Sequence, residues 1–368
     1  MENLLEGLLS ITWQQVVMIL VGLLLIYLAI KKEYEPMLLL PMGFGALLAN
    51  IPLSSAVGDG GFLTLLKEAG ISTELFPILI FIAVGAMIDF SPLLKQPVML
   101  FFGAAAQFGI FMAMFLAAST GAFDIKEAAS IGIIGAADGP TSIYAATRFA
   151  PNLLGPISVA AYSYMALVPM IQPPIIRALT TKRERRIRMD ADYDVKVSKK
   201  VLILFPIVVT LVAGLIAPEG VGLVGALMFG NLIRESGVLE RLSQAAQNEL
   251  ANLVTLVLGI TIGSTMVASQ FLKPTTLLIL GIGLLAFVFD TAGGVLFAKL
   301  VNLFLKRKVN PMIGAAGISA FPMSARVVQK IAQEEDPTNF ILMQAIGANV
   351  AGQIGSVIAG GVLLSLLG

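Results

Sequence analysis

The chain has 368 residues, of which 57 % are hydrophobic and 13 % charged, with a mean hydropathy of +0.90. Soluble domains carry about 25 % charged residues, so the composition specifies a polytopic helical membrane protein, and a net charge of +1 gives no support to a nucleic-acid partner. With no Cys and no His, disulfides, thiolate and imidazole chemistry and the usual zinc and haem ligands are excluded, leaving oxygen ligands suited to sodium or protons.

A spanning helix needs about 20 mainly apolar residues. On that measure the sequence predicts segments at 11–30, 36–53, 74–92, 97–120, 127–149, 153–180, 200–217, 219–236, 248–271, 274–304, 310–333 and 337–367. Glu2 and Glu6 precede the first run and no small-residue cleavage signal follows it, which marks a retained helix rather than a signal peptide. The 36–53 window carries three prolines and is the weakest span; residues 54–73 form a polar link with Asp59, Lys67 and Glu68. The run TTKRERRIRMDADYDVKVSKK, 180–200, reads as a cytoplasmic loop by the positive-inside rule, and it offers a surface for a cytoplasmic partner. Arg234, Arg241 and Lys306, Arg307 and Lys308 also favour the cytoplasm. The expected organisation is an N-terminal helix (1–35), a first membrane repeat (36–180), a charged cytoplasmic loop (181–199) and a second membrane repeat (200–368).

Three pairs of segments carry the internal repeat. Gly45-Ala-Leu-Leu echoes Gly225-Ala-Leu-Met, each followed by Asn50 or Asn231; VGAMIDFSPLLKQP aligns with IGSTMVASQFLKP, with Gly85 over Gly263. In IGIIGAADGPTSIYAATR and IGAAGISAFPMSAR, Gly132 falls over Gly314, Gly135 over Gly317, Pro140 over Pro322 and Ser142 over Ser324. Inverted halves, the design for alternating access, need an odd number of crossings between equivalent helices. The expectation is therefore an all-α fold of about eleven spans, with 36–53 re-entrant or merged with a neighbour.

Pro140 and Pro322 each split a helix and free backbone groups that protein, water or an ion must satisfy in a bilayer. Asp138 lies two residues before the first break, where an ionised carboxylate is costly without a counter-charge, and it is the candidate cation ligand; helix capping is its plainer role. Asn310 and Ser319 belong to the matching segment, which supplies neutral oxygens where the first supplies charge; capping and packing are their plainer roles. Arg326, whose repeat mate is Tyr144, either snorkels to the surface or binds an anion such as a carboxylate. Tyr162 and Tyr164 share an apolar helix with Gln172 and paired prolines, and they read either as interface anchors or as functional phenols. Asp89 sits at a helix end and reads as structural, whereas Asp290 is deeper and is a candidate second ion or proton site.

The strings GAADGPTSIYAATRFAPNLLGPISVAAYSYMALVPMIQPPI, FGNLIRESGVLERLSQAAQNEL and NPMIGAAGISAFPMSARVVQK resemble the membrane beta subunit of sodium-translocating, biotin-dependent carboxylic acid decarboxylases, the oxaloacetate, methylmalonyl-CoA, glutaconyl-CoA and malonate systems. The resemblance runs over nearly the whole chain. It implies an elevator-type core moving against an oligomerising scaffold, with a trimer among the possible homo-oligomers, in a bacterial or archaeal inner membrane. It further implies a subunit that decarboxylates carboxybiotin, consumes a proton and exports Na+. The biotin is carried on a partner, with a carboxyltransferase and a small membrane subunit completing the complex. Carried over by motif, Asp138 is the acidic sodium-site residue, Asn310, Gly314 and Ser319 form the facing ion site, and Tyr164 serves the proton or second sodium step. Arg326, with Tyr162 near it in role, lies on the carboxybiotin route. The rival readings are a sodium-coupled symporter of an organic anion with the same fold, and an anchor that docks soluble subunits and conducts nothing.

Overall fold

The computed structural model describes residues 6–7, 9–189 and 196–368; Glu2 and the 190–195 part of the charged loop lie outside the described residues. Among the described residues there are helices and no strand. Seven helices are long and apolar enough to cross a membrane, and the pair Phe62–Ile71 and Leu75–Met87, bent by 63°, brings the number to at most eight. In chain order the first half contains α1 (Trp13–Lys32), α2 (Pro36–Asn50), α3 (Leu75–Met87), α4 (Met99–Ala105), α5 (Phe108–Ser119), α6 (Ile125–Ile133), α7 (Gly139–Phe149) and α8 (Leu154–Leu179). The second half contributes α9 (Lys199–Ile216), α10 (Val221–Ser236), α11 (Ala251–Ser264), α12 (Pro274–Phe304), α13 (Met312–Ala315), α14 (Met323–Glu335) and α15 (Leu342–Leu367).

Local chemistry sets several of these starts. Thr12 and Gln15 close a reciprocal capping box on α1, and Asp124 and Glu127 close another on α6, so the first orphan amides of both helices are satisfied. Lys31 and Lys32 then fall at the negative end of the α1 dipole. The weak 36–53 window is a 15-residue helix that tolerates Pro41 because it is packed between α1 and α11. At the other extreme, α9 leaves Leu204, Val208, Leu211 and Leu215 exposed, the surface expected of a helix facing lipid.

The helices sort into two groups. In one, α2 crosses α11 and α3 crosses α10, so each close contact joins the first half of the chain to the second. A Cβ on Gly45 would run into the carbonyl of Ile260, and one on Gly263 into that of Met42; Gly85 meets Leu227 and Gly230 meets Ile82 in the same way. By packing, Gly45 therefore corresponds to Gly230, one turn beyond the Gly225 that its sequence motif suggested. The two asparagines of the motif tie off free helix ends across the halves. Asn50 donates to Met266 O at 2.8 Å and accepts from Ala268 N at 2.9 Å, while Asn231 donates to Ile88 O at 2.9 Å.

In the other group, each of the two broken segments folds back on itself as a hairpin, whereas Pro36–Asn50, expected to be re-entrant or merged with a neighbour, is one continuous helix. Helices α6 and α7 pack against each other, with Lys126 over the Phe149 ring at 5.6 Å, so the segment leaves at the end where it entered. The second hairpin, α13 and α14, likewise begins and ends beside one stretch of loop. Asn310 donates to Arg185 O (3.0 Å) and Ile187 O (2.9 Å), and Glu335 pairs with Arg185 at 2.6 Å. Arg177–Glu334 and Arg188–Asp336 extend this ion-paired strap, and Asn339 donates to the same two carbonyls as Asn310. The Arg185 hydrogen bond lowers the Glu335 carboxyl, and the Thr338 hydroxyl with Arg188 holds Asp336 down at about 2.

Candidate functional site

The hairpin tips touch. The first tip runs through a tight turn at 134–136 and Ala137 in the left-handed region (φ 52°) to Asp138, which is extended and caps α7. The second tip lies across it, and Ser319 N donates to Ala136 O at 3.0 Å. Between them is a cavity of about 100 Å³ lined by Asp138, Gly139, Pro140, Ser319, Phe321 and Gln353, with Phe81, Val84 and Met87 of α3 as the facing wall.

Asp138 is 3 % exposed, which makes its partners decisive. Its Oδ1 accepts from Thr141 N at 3.1 Å, and its Oδ2 accepts from Gln353 Nε2 at 3.1 Å and Ser356 Oγ at 2.7 Å, both on α15. No cation pairs with it among the described residues, so neutral donors carry the whole task of solvating it. Thr141 Oγ1 and Tyr162 OH are buried nearby without a hydrogen-bond partner; the Tyr162 ring packs on Gly139, where a Cβ would strike it. Ser319 Oγ donates to Gly352 O at 2.9 Å. Asp138, Ser319, Ser356 and Thr141 thus bring one carboxylate and three hydroxyls together, with the Gln353 amide beside them, and oxygen donors of this kind suit a monovalent hard cation.

The structure brings Asp138 and Ser319 to this cavity and sets Tyr162 beside it. It does not bring the other expected residues there. Asn310 stands at the base of its hairpin, its amide held by the strap and its Oδ1 capping Met312 N at 3.1 Å. Gly314 lies where α13 crosses α12, its Cα against the backbone of Gly294. Tyr164 donates to Leu280 O of α12 at 2.5 Å, and Arg326 is exposed on α14.

Gln353 and Ser356 were missed by the sequence reading. With Asn349 they form an i, i+4, i+7 polar stripe on an otherwise apolar helix, which is the signal that marks them. Gln172 mirrors Gln353: from α8 it donates to Ala315 O (2.7 Å) and Ser324 Oγ (2.9 Å) of the second hairpin. Each half's long helix therefore places a glutamine on the other half's break.

A family model described as "Na+-transporting oxaloacetate decarboxylase beta subunit" matches residues 14–367. The methylmalonyl-CoA decarboxylase subunit beta of Propionigenium modestum is 50 % identical over 386 residues, covering 98 % of this chain and 97 % of that protein. The glutaconyl-CoA decarboxylase subunit beta of Acidaminococcus fermentans is 51 % identical over 363 residues, 99 % and 96 % of the two chains. The oxaloacetate decarboxylase beta chain 2 of Salmonella typhi is 47 % identical over 418 residues, 97 % and 96 %. Two paired hairpins, a buried carboxylate where their tips meet and end-to-end similarity converge: the chain belongs to the family of beta subunits of Na+-transporting oxaloacetate decarboxylases.

Proposed function

We propose that this chain is the membrane subunit that decarboxylates carboxybiotin presented by a partner and uses the reaction to export sodium across a bacterial or archaeal inner membrane. Asp138 at the meeting of the hairpin tips is the observation that carries the reading. Ser356 and Gln353 donate to its Oδ2. A sodium ion takes their place: hydroxyls rotate, so Ser356, Ser319 and Thr141 turn lone pairs to the ion, Gln353 presents its Oε1, and the carboxylate neutralises the charge. The protein thus exchanges one set of neutral partners for a cation without leaving a bare carboxylate in hydrocarbon.

The two halves, 36–180 and 200–368, act as inverted repeats. The reciprocal asparagines, the mirrored glutamines and one hairpin per half support this arrangement. The α2, α3, α10 and α11 group is the scaffold of an elevator, and the hairpins with α8, α12 and α15 are its moving core, which slides past the Phe81, Val84 and Met87 wall. Carboxybiotin supplies the labile carboxyl group whose loss drives the cycle. Arg326, exposed one turn into α14 from the tip of the second hairpin, meets that anion, and a ligand that binds one position of the core better biases its equilibrium. The relatives' names give three different acids, so the acid is selected by the carboxyltransferase partner. A biotin carrier, a carboxyltransferase and a small membrane subunit complete the assembly, and the scaffold forms a homo-oligomer.

A sodium symporter of an organic anion would need room for the anion beside the ion, and a cavity of about 100 Å³ disfavours it. The test is to purify the native complex, probe it with streptavidin, and compare wild type with Asp138→Asn. A biotinylated polypeptide should co-purify, and the variant should insert normally yet lose sodium-stimulated decarboxylation and sodium uptake. Full sodium stimulation in Asp138→Asn overturns the assignment; absence of any biotinylated partner returns the symporter.

A further inference from the structure

Away from the ion cavity, a cluster of charges joins the hairpin core to the scaffold. Arg148, at the end of α7, donates from Nε to Glu74 Oε1 at 2.7 Å, from Nη2 to Glu74 Oε2 at 3.4 Å and from Nη1 to Glu219 Oε2 at 2.8 Å. Its guanidinium also lies over the Tyr144 ring, 4.9 Å from the centroid. Both acids belong to the scaffold: Glu74 opens α3, and Glu219 lies in the 218–220 turn between α9 and α10. Glu74 holds its place in the left-handed region (φ 63°), which a glutamate adopts only where its surroundings impose it.

The cluster lies at the outer face. Helix α8 crosses from Leu154 to the charged loop that starts at 180, so Arg148, just before α8, is at the end away from that loop. The same corner is closed a second time, because a Cβ on Gly220 would run into the Cα of Gly361 on α15. The ion cavity, by contrast, faces Val84 and Met87, toward the cytoplasmic end of α3. For a moving core this is a cytoplasm-facing position with its outer edge sealed on 218–220.

The second half carries the same parts in a different state. In the register that sets Pro140 over Pro322, Arg148 falls on Lys330 of α14, and the 218–220 turn between α9 and α10 corresponds to the Glu33–Glu35 turn between α1 and α2. Among the described residues Lys330, Glu33 and Glu35 make no ion pair, and α14 packs on α8 and α15 within the core. One hairpin cation is therefore locked to scaffold acids while its repeat mate is not.

We propose that Arg148, Glu74 and Glu219 form an outer latch that holds the core in its cytoplasm-facing position, and that Lys330 engages the Glu33–Glu35 turn as an inner latch when the core faces outward. The inference rests on the moving-core reading above. Each latch is made in one position only, so each biases the equilibrium toward that position, and the two oppose each other.

Because the chain has no Cys, Ala217→Cys places a single thiol under the outer seal. Ala217 is buried, and its Cβ lies 3.8 Å from the Cβ that Gly361 would carry. Labelling of the purified full-length protein by a water-soluble maleimide then reads how often the seal opens. Adding Arg148→Gln should speed labelling about fivefold, the factor equivalent to about 1 kcal/mol for a partly exposed ion pair. Adding Lys330→Gln, at the opposite face, should slow it, an effect that local loosening around Arg148 cannot imitate. An unchanged rate with Arg148→Gln, or an unchanged or faster rate with Lys330→Gln, overturns the latches. Should Arg148→Gln fail to fold, Glu219→Gln removes one arm of the cluster and is held to the same sign. If the thiol reacts only after denaturation in every background, the core does not leave the scaffold, and the moving-core reading falls instead.

Discussion

Replacing Asn50 by Ala should destabilise the protein more than replacing Asn231, although the two residues tie off equivalent helix ends. Asn50 loses donations to Met266 O and Ala46 O, both at 2.8 Å, and strands the Ala268 amide that it accepted at 2.9 Å. A hydrogen bond contributes about 0.5–1.5 kcal/mol net, and a buried donor left unpaired costs about 1–3 kcal/mol, so the total is about 3 kcal/mol or more. Asn231 gives up one good bond, to Ile88 O, and a long one of 3.4 Å to Gly85 O, and its buried Oδ1 has no partner to lose. Its removal should cost about 1 kcal/mol. A gap of about 2 kcal/mol corresponds to an apparent melting difference of roughly 3 °C for a chain of this size. Fluorescence-detected size-exclusion chromatography after heating steps in detergent measures it. Equal losses, or a larger loss at Asn231, would show that these amides do not hold the crossed helices in the way described.

Other outcomes follow from the same contacts. Gly85→Ala and Gly263→Ala each drive a methyl into a facing carbonyl, of Leu227 and Met42, and should lower stability by about 1–3 kcal/mol, whereas Gly225→Ala, with its nearest neighbour at 3.8 Å, should be tolerated; melting curves rank the three. Arg326→Ala should cut carrier-dependent decarboxylation several-fold while leaving the sodium-induced thermal shift unchanged, because the guanidinium is exposed and outside the cavity; a matching loss of sodium binding would refute that separation. The strap gives a pH dependence. Asp336 is held at about 2 against an ordinary value of 3.8. A depressed folded-state value means that the stabilisation is present above the ordinary value and disappears as pH falls from 3.8 toward 2. Proteolysis of 180–189 should therefore accelerate across that interval in wild type, and Asp336→Asn should show the fast rate already at neutral pH.

The amino-acid pattern carried most of the helices and the placing of Asp138 at the first break. Apolar run length located α1, α8, α12 and α15, and a proline two residues after an intramembrane aspartate located the first break. Run length does not report direction, however. An apolar stretch that doubles back has the same composition as one that crosses, which is why 127–149 and 310–333 read as spans. The glycine pattern at Gly132, Gly135, Gly314 and Gly317 was legible because each of the four sits where a neighbouring helix passes too close for any side chain. Gln353 and Ser356 were not, because they reach Asp138 across 215 and 218 residues of sequence and only tertiary packing brings them there. The surroundings of Asn310 were hidden for a related reason. Its place at the head of a hairpin suggested an ion ligand, and its amide is committed to the backbone of a loop more than a hundred residues away.

The distance along the chain between Asp138 and its donors also bears on how the protein is made. The first hairpin leaves the ribosome well before α15 has been synthesised, so the nascent chain holds an acid destined for hydrocarbon depth whose donors do not yet exist. Until α15 arrives, that hairpin is better solvated at the lipid headgroups or in the insertion machinery than seated among its neighbours. Final docking of Asp138 against Gln353 and Ser356 is thus a late, post-insertion event, and a chain truncated before α15 presents cellular quality control with an unpartnered acid in the bilayer.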